Sequence, residues 1–224
     1  MRTRKANIDS DHARKAAARF DDWATTYGED RISPWFRYYQ TLALSKLDLS
    51  GGAGFLDVGC GPGWAVREAA RRLRDGKACG IDISPGMIEK AKSHCEGSPN
   101  VEFRVANSEQ IPYPDESFHS VLCSFSFHHY ENPLTALAEI KRVLKTGGKI
   151  VILDSARDVS FPMWLQDRWR RHFERSHVRY YTTKELGALI EQVPLKILGD
   201  VMTVRKTLFK RKLFTALMLF QCTK

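Results

Sequence analysis

Apolar and polar positions follow a repeating order along the middle of the chain. Short apolar runs, each typical of a buried strand, alternate with turn residues and with segments of helical composition. The predicted strands are residues 55–57, 77–83, 101–106, 121–125 and 150–154. The predicted helices are residues 65–74, 84–95, 132–144 and 182–192. Strands that alternate with helices in this way predict an α/β fold built on a mostly parallel sheet.

Two regions flank this core. Before it, residues 1–9 are polar and basic and are expected to be disordered. A helix follows over residues 11–27, with Phe20, Trp23 and Tyr27 on one face, and Ser33-Pro34 begins a second helix that runs to about Leu47. After the core, two alternating apolar stretches predict an antiparallel hairpin over residues 195–204 and 213–220. We expect one domain, residues 1–224, consisting of N-terminal lid helices (1–48), a core (49–154), an insert with its helix (155–192) and the C-terminal hairpin (193–224).

A glycine-rich turn follows the first predicted strand, in the sequence FLDVGCGPGW over residues 55–64. Glycine lets the backbone approach a ligand closely, and the next helix begins with N–H groups that point outward. Gly59, Gly61 and Gly63 are spaced G-x-G-x-G, unlike the G-x-G-x-x-G of dinucleotide-binding turns. Asp57, just before the turn, would repel a pyrophosphate and attract a cation. The turn therefore predicts a site for a small polar ligand and argues against a nicotinamide dehydrogenase.

Several segments carry a resemblance to a known family. Residues 57–63 resemble the E/D-x-G-x-G-x-G of motif I in class I S-adenosylmethionine-dependent methyltransferases. Residues 107–118, NSEQIPYPDESF, resemble that family's G-D-A-x-x-L-P-F-x-D-x-S-F-D segment. Asn107 replaces the usual acid there, and His119 replaces the final Asp.

Two shorter segments narrow the resemblance. Residues 142–148, RVLKTGG, resemble R-V-L-K-P-G-G, with Thr146 in place of proline. Residues 20–27 are similar to the F-D-x-x-A-x-x-Y of an N-terminal lid. The chain as a whole resembles the ubiquinone/menaquinone-biosynthesis (type 11) methyltransferases. The resemblance implies a Rossmann-like, seven-stranded, mostly parallel sheet with helices on both faces, an antiparallel C-terminal hairpin and an N-terminal helical lid.

The same resemblance implies a cofactor, S-adenosylmethionine, with S-adenosylhomocysteine as product. The methyl group of a sulfonium is already activated, so the protein must hold a nucleophile in line behind it and exclude water. Asp57 and the turn would hold the aminocarboxypropyl end, while Asp82, at the end of the second strand, would accept hydrogen bonds from the ribose hydroxyls. The expected cofactor-binding residues are Tyr27, Asp57, Gly59, Gly61, Gly63, Asp82, Ile83, Met87, Asn107, Ser108 and Cys123.

The other residues of this set would contact the adenine and the methionyl part of the cofactor. Ile83 and Met87 would lie on either side of the adenine, and Asn107 with Ser108 would contact its polar edge. An ordinary core position is the alternative for Met87. The backbone near Cys123 would complete the site for the methionyl part of the cofactor.

His128 and His129 follow the fourth predicted strand, and ligands bind at the carboxyl ends of such strands. They are the candidate catalytic residues, as a general base or as substrate contacts. The alternative is a packed or helix-capping pair. The five cysteines form no C-x-x-C pair and have no metal-like spacing with His, so we predict reduced thiols in a cytoplasmic protein and no metal site. Neither a signal peptide nor a membrane-spanning run is expected.

The formal charge of +9 is unevenly distributed. The core is near neutral, and the excess of Lys and Arg lies in residues 1–20, 157–181 and 196–224. Residues 164–181 interleave arginines with aromatic residues, which is typical either of a phosphate- and base-binding surface or of an amphipathic helix over the active site. A basic rim predicts attraction to an anionic partner.

Three functions stay open. The first is methylation of a small molecule with an anionic or aromatic part. The second is methylation of RNA or protein through the basic insert, although the chain has no N-P-P-Y tetrapeptide. The third is a non-catalytic protein that binds the cofactor and acts through partners. The sequence names neither the acceptor atom nor the oligomeric state.

Overall fold

The computed structural model describes residues 10–26, 33–174, 177–208 and 213–224. It contains one sheet with helices packed on both faces. The helices are α1 (Asp11–Thr26), α2 (Ser33–Leu44), α3 (Trp64–Arg72), α4 (Pro85–His94), α5 (Pro133–Val143), α6 (Phe161–Phe173), α7 (Thr183–Gln192) and a 3-10 turn (Phe127–His129). The strands are β1 (Phe55–Val58), β2 (Ala78–Asp82), β3 (Val101–Val105), β4 (Phe118–Ser124), β5 (Leu144–Ser155), β6 (Lys196–Ile197), β7 (Met202–Leu208) and β8 (Leu213–Thr223).

The first five strands form a parallel sheet in the order β3-β2-β1-β4-β5, and β8 pairs antiparallel with β5. Both β6 and β7 pair with β8, since Lys196 lies opposite Thr223 and Met202 lies opposite Leu219. The described residues thus define eight strands, which occupy seven positions because β6 and β7 follow one another beside β8. This confirms the predicted α/β fold with its antiparallel C-terminal strands.

The sheet separates two hydrophobic cores. Every residue of β1 and β2 is buried, as expected of central parallel strands covered on both faces. Ile140 of α5 and Leu186 of α7 pack on one face. Leu44 of α2, Val66 of α3 and Ile88 of α4 pack on the other. Burial of these central strands holds the loops at their carboxyl ends in fixed positions.

Helix α1 is fastened to the first turn of α4. Oδ1 of Asp21 accepts a hydrogen bond from the backbone N of Gly86 at 2.8 Å and another from the hydroxyl of Ser84. Nζ of Lys90 donates to the carbonyl of Ala24 at 2.6 Å. Ser84 also caps α4 by accepting from the N–H of Met87. One carboxylate therefore ties α1 to the loop that follows β2.

Some predicted boundaries were wrong. The amphipathic helix that was one of the two alternatives for residues 164–181 is α6, which ends at Phe173. Its buried Asp167 accepts hydrogen bonds from the backbone N of Tyr180 and from Nε2 of His177, so the chain folds back along the helix. The first arm of the C-terminal hairpin is β7 rather than residues 195–204, because residues 198–201 interrupt it after β6. Residues 1–9 and Tyr27 lie outside the described residues.

Candidate functional site

A cavity of about 690 Å³ lies at the carboxyl ends of the parallel strands, around the point where the strand order reverses between β1 and β4. Ligands of open α/β sheets bind at this position. Side chains of α1, α2 and α6 form the rest of its wall. The sequence-predicted residues that line the cavity are Gly59, Gly61, Asp82, Ile83, Met87, Asn107, Ser108, His128 and His129. Three others, Asp57, Gly63 and Cys123, are not on the wall, and Tyr27 lies outside the described residues.

The glycine turn requires glycine for two different reasons. Gly59, Gly61 and Gly63 all have φ between 50° and 80°, a region that favours glycine. A Cβ on Gly59 would lie 2.5 Å from Cβ of Ser126, and one on Gly63 would lie 2.9 Å from Cβ of Ala91. A Cβ on Gly61 would meet no atom within 4 Å, because this residue faces the cavity. Gly59 and Gly63 therefore serve packing, and Gly61 leaves room for a ligand.

Asp82 holds the turn from the end of β2. Its Oδ2 accepts from the backbone N of Gly61 at 2.9 Å, and its Oδ1 accepts from the backbone N of Ser84 at 3.0 Å. Burial raises the pKa of Asp82, and the backbone N–H groups of Ser84 and Gly61 oppose that rise. The carboxylate reaches the cavity wall. Asp82 thus combines a structural role with a position suited to hydroxyl groups of a ligand.

Asp57 is a buried carboxyl group beneath the turn. It is fully buried in β1, and neither of its oxygens has a hydrogen-bond partner within the described part of the chain. Burial, and secondly the charge of Asp82, raise its pKa to about 8. An unpaired buried carboxyl is costly in a native protein. Its position under the cavity suits a ligand that brings a positive charge.

Polar and apolar residues predicted for the adenine lie together on one side of the cavity. Ile83 and Met87 come from the β2–α4 turn, and Asn107 with Ser108 comes from the loop after β3. Oδ1 of Asn107 accepts from the backbone N of Glu109 at 3.0 Å. The hydroxyl of Ser108 also donates to this oxygen, at 3.5 Å, so contacts within the loop orient the amide group of Asn107.

Cys123 lies behind the wall rather than in it. Its Sγ is 3.3 Å from Oγ of Ser126 and 3.4 Å from the hydroxyl of Tyr130. Both hydroxyl groups also reach the carbonyl of Val58, at 2.9 Å for Ser126 and 3.2 Å for Tyr130. This cluster joins the ends of β1 and β4. Ser126 and Tyr130 line the cavity, so they, rather than the Cys123 side chain, face a ligand.

His128 forms a buried pair with Asp154 at the end of β5. Nδ1 of His128 lies 2.7 Å from Oδ1 of Asp154, and the backbone N of His128 donates to Oδ2 at 3.0 Å. Burial lowers the pKa of His128 well below its usual value, and burial raises the pKa of Asp154 to about 6. At neutral pH, a carboxylate therefore accepts the Nδ1 hydrogen of a neutral imidazole. Nε2 is then the basic nitrogen of this ring.

A second histidine and acid pair stands beside the first. His177 is buried, and its Nε2 lies 3.0 Å from Oδ1 of Asp167. Burial alone would raise the pKa of Asp167, but hydrogen bonds from His177 and Arg171 outweigh it and lower that pKa to about 2. Nδ1 of His177 is buried without a hydrogen-bond partner in the described residues. One ring nitrogen from each of His128, His129 and His177 lies within 4.8 Å of the others, an arrangement that can hold a metal ion. Sequence reasoning predicted no metal site and did not foresee this cluster.

The three residues that the sequence analysis missed are Asp154, Asp167 and His177. Asp154 ends a predicted strand, as Asp82 does, so its position in the sequence could have marked it as a site residue. Asp167 and His177 lie ten residues apart in the segment 164–181, for which the sequence left a binding surface and an amphipathic helix as alternatives. They meet only because α6 stops at Phe173 and the chain turns back.

The proteins that this chain resembles in sequence and in structure include methyltransferases. Residues 56–152 match the family described as "Methyltransferase domain". The chain is 32% identical over 157 residues to the demethylmenaquinone methyltransferase of Tropheryma whipplei (strain Twist), covering 70% of this chain and 61% of the relative. Among solved structures, the YcgJ protein of Bacillus subtilis has a TM-score of 0.68 at 20% identity, covering 84% of this chain and 98% of that one. A SAM-dependent methyltransferase from Aquifex aeolicus has a TM-score of 0.61 at 24% identity, covering 81% and 88%.

The structural neighbours establish the fold of this chain. The match to the methyltransferase family model covers residues 56–152, which include most of β1 and β5 and all elements between them. The chain spans about three fifths of the length of the Tropheryma relative. Among the described residues, no helix is both long enough and apolar enough to cross a membrane.

Proposed function

We propose that this chain, whose residues 56–152 belong to the type 11 methyltransferase family, transfers the methyl group of S-adenosylmethionine to a small-molecule acceptor by in-line displacement. The observation that carries this proposal is the unpaired, buried Asp57 beneath a glycine turn whose Gly61 faces an open cavity. A carboxyl group in that position is stabilised by a ligand with a cationic group.

The residues present fit the cofactor of this family. S-adenosylmethionine has an ammonium group whose positive charge would stabilise the carboxylate of Asp57 behind the cavity wall. It also has ribose hydroxyls that Asp82 could accept from and an adenine ring that Ile83 and Met87 would flank. Asn107 offers an amide group to the polar edge of that ring. When bound, the cofactor supplies an electrophilic methyl group, which needs no activation by the protein. The chain must bind and orient both reactants and exclude water.

His128 is the proposed proton acceptor on the acceptor side. Asp154 fixes its tautomer through Nδ1, so Nε2 has a free lone pair at neutral pH. The lowered pKa keeps this imidazole neutral, which is the form that a base requires. His129 adjoins it, with ring centroids 4.0 Å apart, and contacts the acceptor in this proposal.

The cavity wall favours an aromatic acceptor. Aromatic side chains line much of it, among them Phe20, Trp23, Trp35, Phe36 and Phe125. Phe125 has φ of 55°, a strained conformation for a bulky residue, and its ring lies 4.8 Å from that of Phe36. Arg170 also lines the cavity and can attract an anionic oxygen. The relative from Tropheryma acts on demethylmenaquinone by its name, so we propose a phenol- or quinol-like acceptor here.

Turnover in an acceptor panel tests this proposal. The untagged protein would be incubated with labelled S-adenosylmethionine and with phenols, hydroquinones and carboxylated aromatics, and S-adenosylhomocysteine would be quantified. We expect acceptor-dependent product with at least one aromatic acceptor. His128→Gln should lower kcat by about 100-fold, the scale of general-base catalysis. The exposed His172→Gln is the matched control and should leave kcat unchanged.

The outcomes separate the open functions. Cofactor binding without turnover in any acceptor class would contradict the proposal and favour a non-catalytic binding protein. Turnover with RNA alone, falling steeply as salt rises, would favour the nucleic-acid function.

A further inference from the structure

Helix α6 has an apolar stripe that faces solvent. Phe161, Leu165, Trp169 and Phe173 follow one another at intervals of four residues, which places them along one side of a helix. Trp164 adjoins them, with its ring stacked on Phe161 at 5.7 Å between centroids. All five side chains are exposed, from 42% for Trp164 to 72% for Phe161. Among the described residues, only Tyr38 and Leu134 are other large apolar side chains with comparable exposure. Such a concentration on one helix marks an interaction surface.

Positive charge accompanies this stripe. Arg168 lies within it, with its guanidinium 5.3 Å from the ring centroid of Trp164, and Arg171 and His172 are also exposed. The acid within α6 is Asp167, which is 1% exposed and faces inward to His177 and Arg171. The outward face of α6 is therefore aromatic and basic without an exposed carboxylate. Its complement is an apolar surface with negative charge.

The inward face of the same helix belongs to the cavity. Met163, Gln166 and Arg170 line it. Arg170 and Arg19 of α1 both pair with Glu174, just after α6, so the two helices are linked beside the cavity. Any surface that binds the outer stripe is consequently one helix diameter from the acceptor site, about 10 Å.

We propose that α6 docks this protein on an anionic phospholipid surface. The stripe would enter the boundary between headgroups and acyl chains, with Arg168 at the phosphates, as amphipathic interfacial helices do. Docking brings the cavity to the bilayer and admits an acceptor that partitions into lipid. This last step rests on the proposed function, whereas docking itself does not.

Composition favours lipid over a protein partner. Tryptophan and phenylalanine with arginine suit the amphipathic interface of a bilayer. The overall charge of +9 adds a long-range attraction to an anionic membrane. A second copy of the chain would bring the same arginines face to face, which is unfavourable.

Vesicle binding tests the docking without cofactor or acceptor. The untagged protein would be co-sedimented with vesicles of phosphatidylcholine alone and with vesicles that also contain phosphatidylglycerol. We expect binding to the anionic vesicles, with a blue shift of tryptophan fluorescence. Leu165→Glu combined with Trp169→Glu should weaken binding by about tenfold or more, since it removes two inserted side chains and adds charge. Leu134→Glu, an exposed leucine on α5, is the matched control and should bind like the wild type.

Further measurements distinguish a loss of lipid binding from a loss of folding or of the cofactor site. Thermal unfolding and S-adenosylhomocysteine binding of the double variant should match the wild type, because both residues are exposed. Arg168→Gln should weaken binding to anionic vesicles and leave any binding to neutral ones unchanged. Equal binding of the wild type and the double variant, or no preference for anionic lipid, would overturn the proposal. So would a dimer in light scattering that the double variant abolishes while no vesicle binding is found.

Discussion

Replacement of Asp57 by asparagine tests the reasoning about the buried carboxyl group. The pKa of Asp57 rises from an ordinary value of 3.8 to about 8, chiefly through burial. Folding therefore raises the free energy of the ionised carboxylate by about 6 kcal/mol, at 1.36 kcal/mol per pKa unit. Asparagine has nearly the same shape and carries no titratable proton.

The direction in which Asp57 changes stability with pH follows from proton binding in the folded and unfolded states. Between about pH 4 and pH 8 the folded protein keeps the Asp57 proton and the unfolded chain has lost it. The group therefore adds no pH-dependent cost below its unfolded pKa. Its destabilising effect grows as pH rises and reaches its full size above about 8. The free energy of unfolding of Asp57→Asn, minus that of the wild type, should therefore increase by about 1.4 kcal/mol for each pH unit in this window.

Urea unfolding, followed by tryptophan fluorescence at about pH 5, 6 and 7, measures the difference. Asp200→Asn, at an exposed loop position, is the control and should show no such trend. Asp57→Asn should also bind S-adenosylhomocysteine more weakly, because the ammonium group of the ligand loses its carboxylate. A difference in stability that is constant across this pH range would refute the burial of an unpaired carboxyl group at residue 57.

Three other predictions concern separate parts of the molecule. Since burial raises the pKa of Asp154 to about 6, turnover should fall as pH drops through about 6, and Asp154→Asn should lower kcat while S-adenosylhomocysteine affinity is kept. Turnover should survive dialysis against EDTA, because Arg170 and Arg19 add positive charge beside His128; loss of activity that zinc restores would contradict this. Thr182→Ala should cost about 1 kcal/mol in urea unfolding by removing the capping box of α7, and an unchanged midpoint would refute that role.

The sequence was sufficient for the parts of the fold that depend on local pattern. The strand–turn–helix order of residues 55–95, the caps at Ser84 and Thr182, and the turn glycines all follow from short-range chemistry. Gly59 and Gly63 show the limit of that reasoning. Their spacing marked a ligand site, but their contacts with Ser126 and Ala91 show a packing requirement that only the folded chain reveals.

The acceptor side could not be predicted in the same way. His128 was recognised from its place after β4, whereas its partner Asp154 comes from the next strand and His177 from beyond α6. The contact with His177 depends on where α6 ends. Hydrogen bonds from His177 and Tyr180 to Asp167 accompany the end of the helix. Such bonds between distant residues produce no hydrophobic periodicity that the sequence would show. The exposed stripe of α6 was likewise hidden, because aromatic residues at helical spacing are more often buried.

Calorimetric titration of S-adenosylhomocysteine into the wild type and into Asp82→Ala tests whether the cavity binds this cofactor through Asp82. NAD serves as the control ligand and Asp200→Asn as the control variant. We expect micromolar binding of S-adenosylhomocysteine and none of NAD. We also expect roughly a hundredfold loss in Asp82→Ala, since hydrogen bonds to a charged group are worth about 1.5–3 kcal/mol each. No binding to the folded wild type, or equal binding by Asp82→Ala, would contradict the proposed cofactor site.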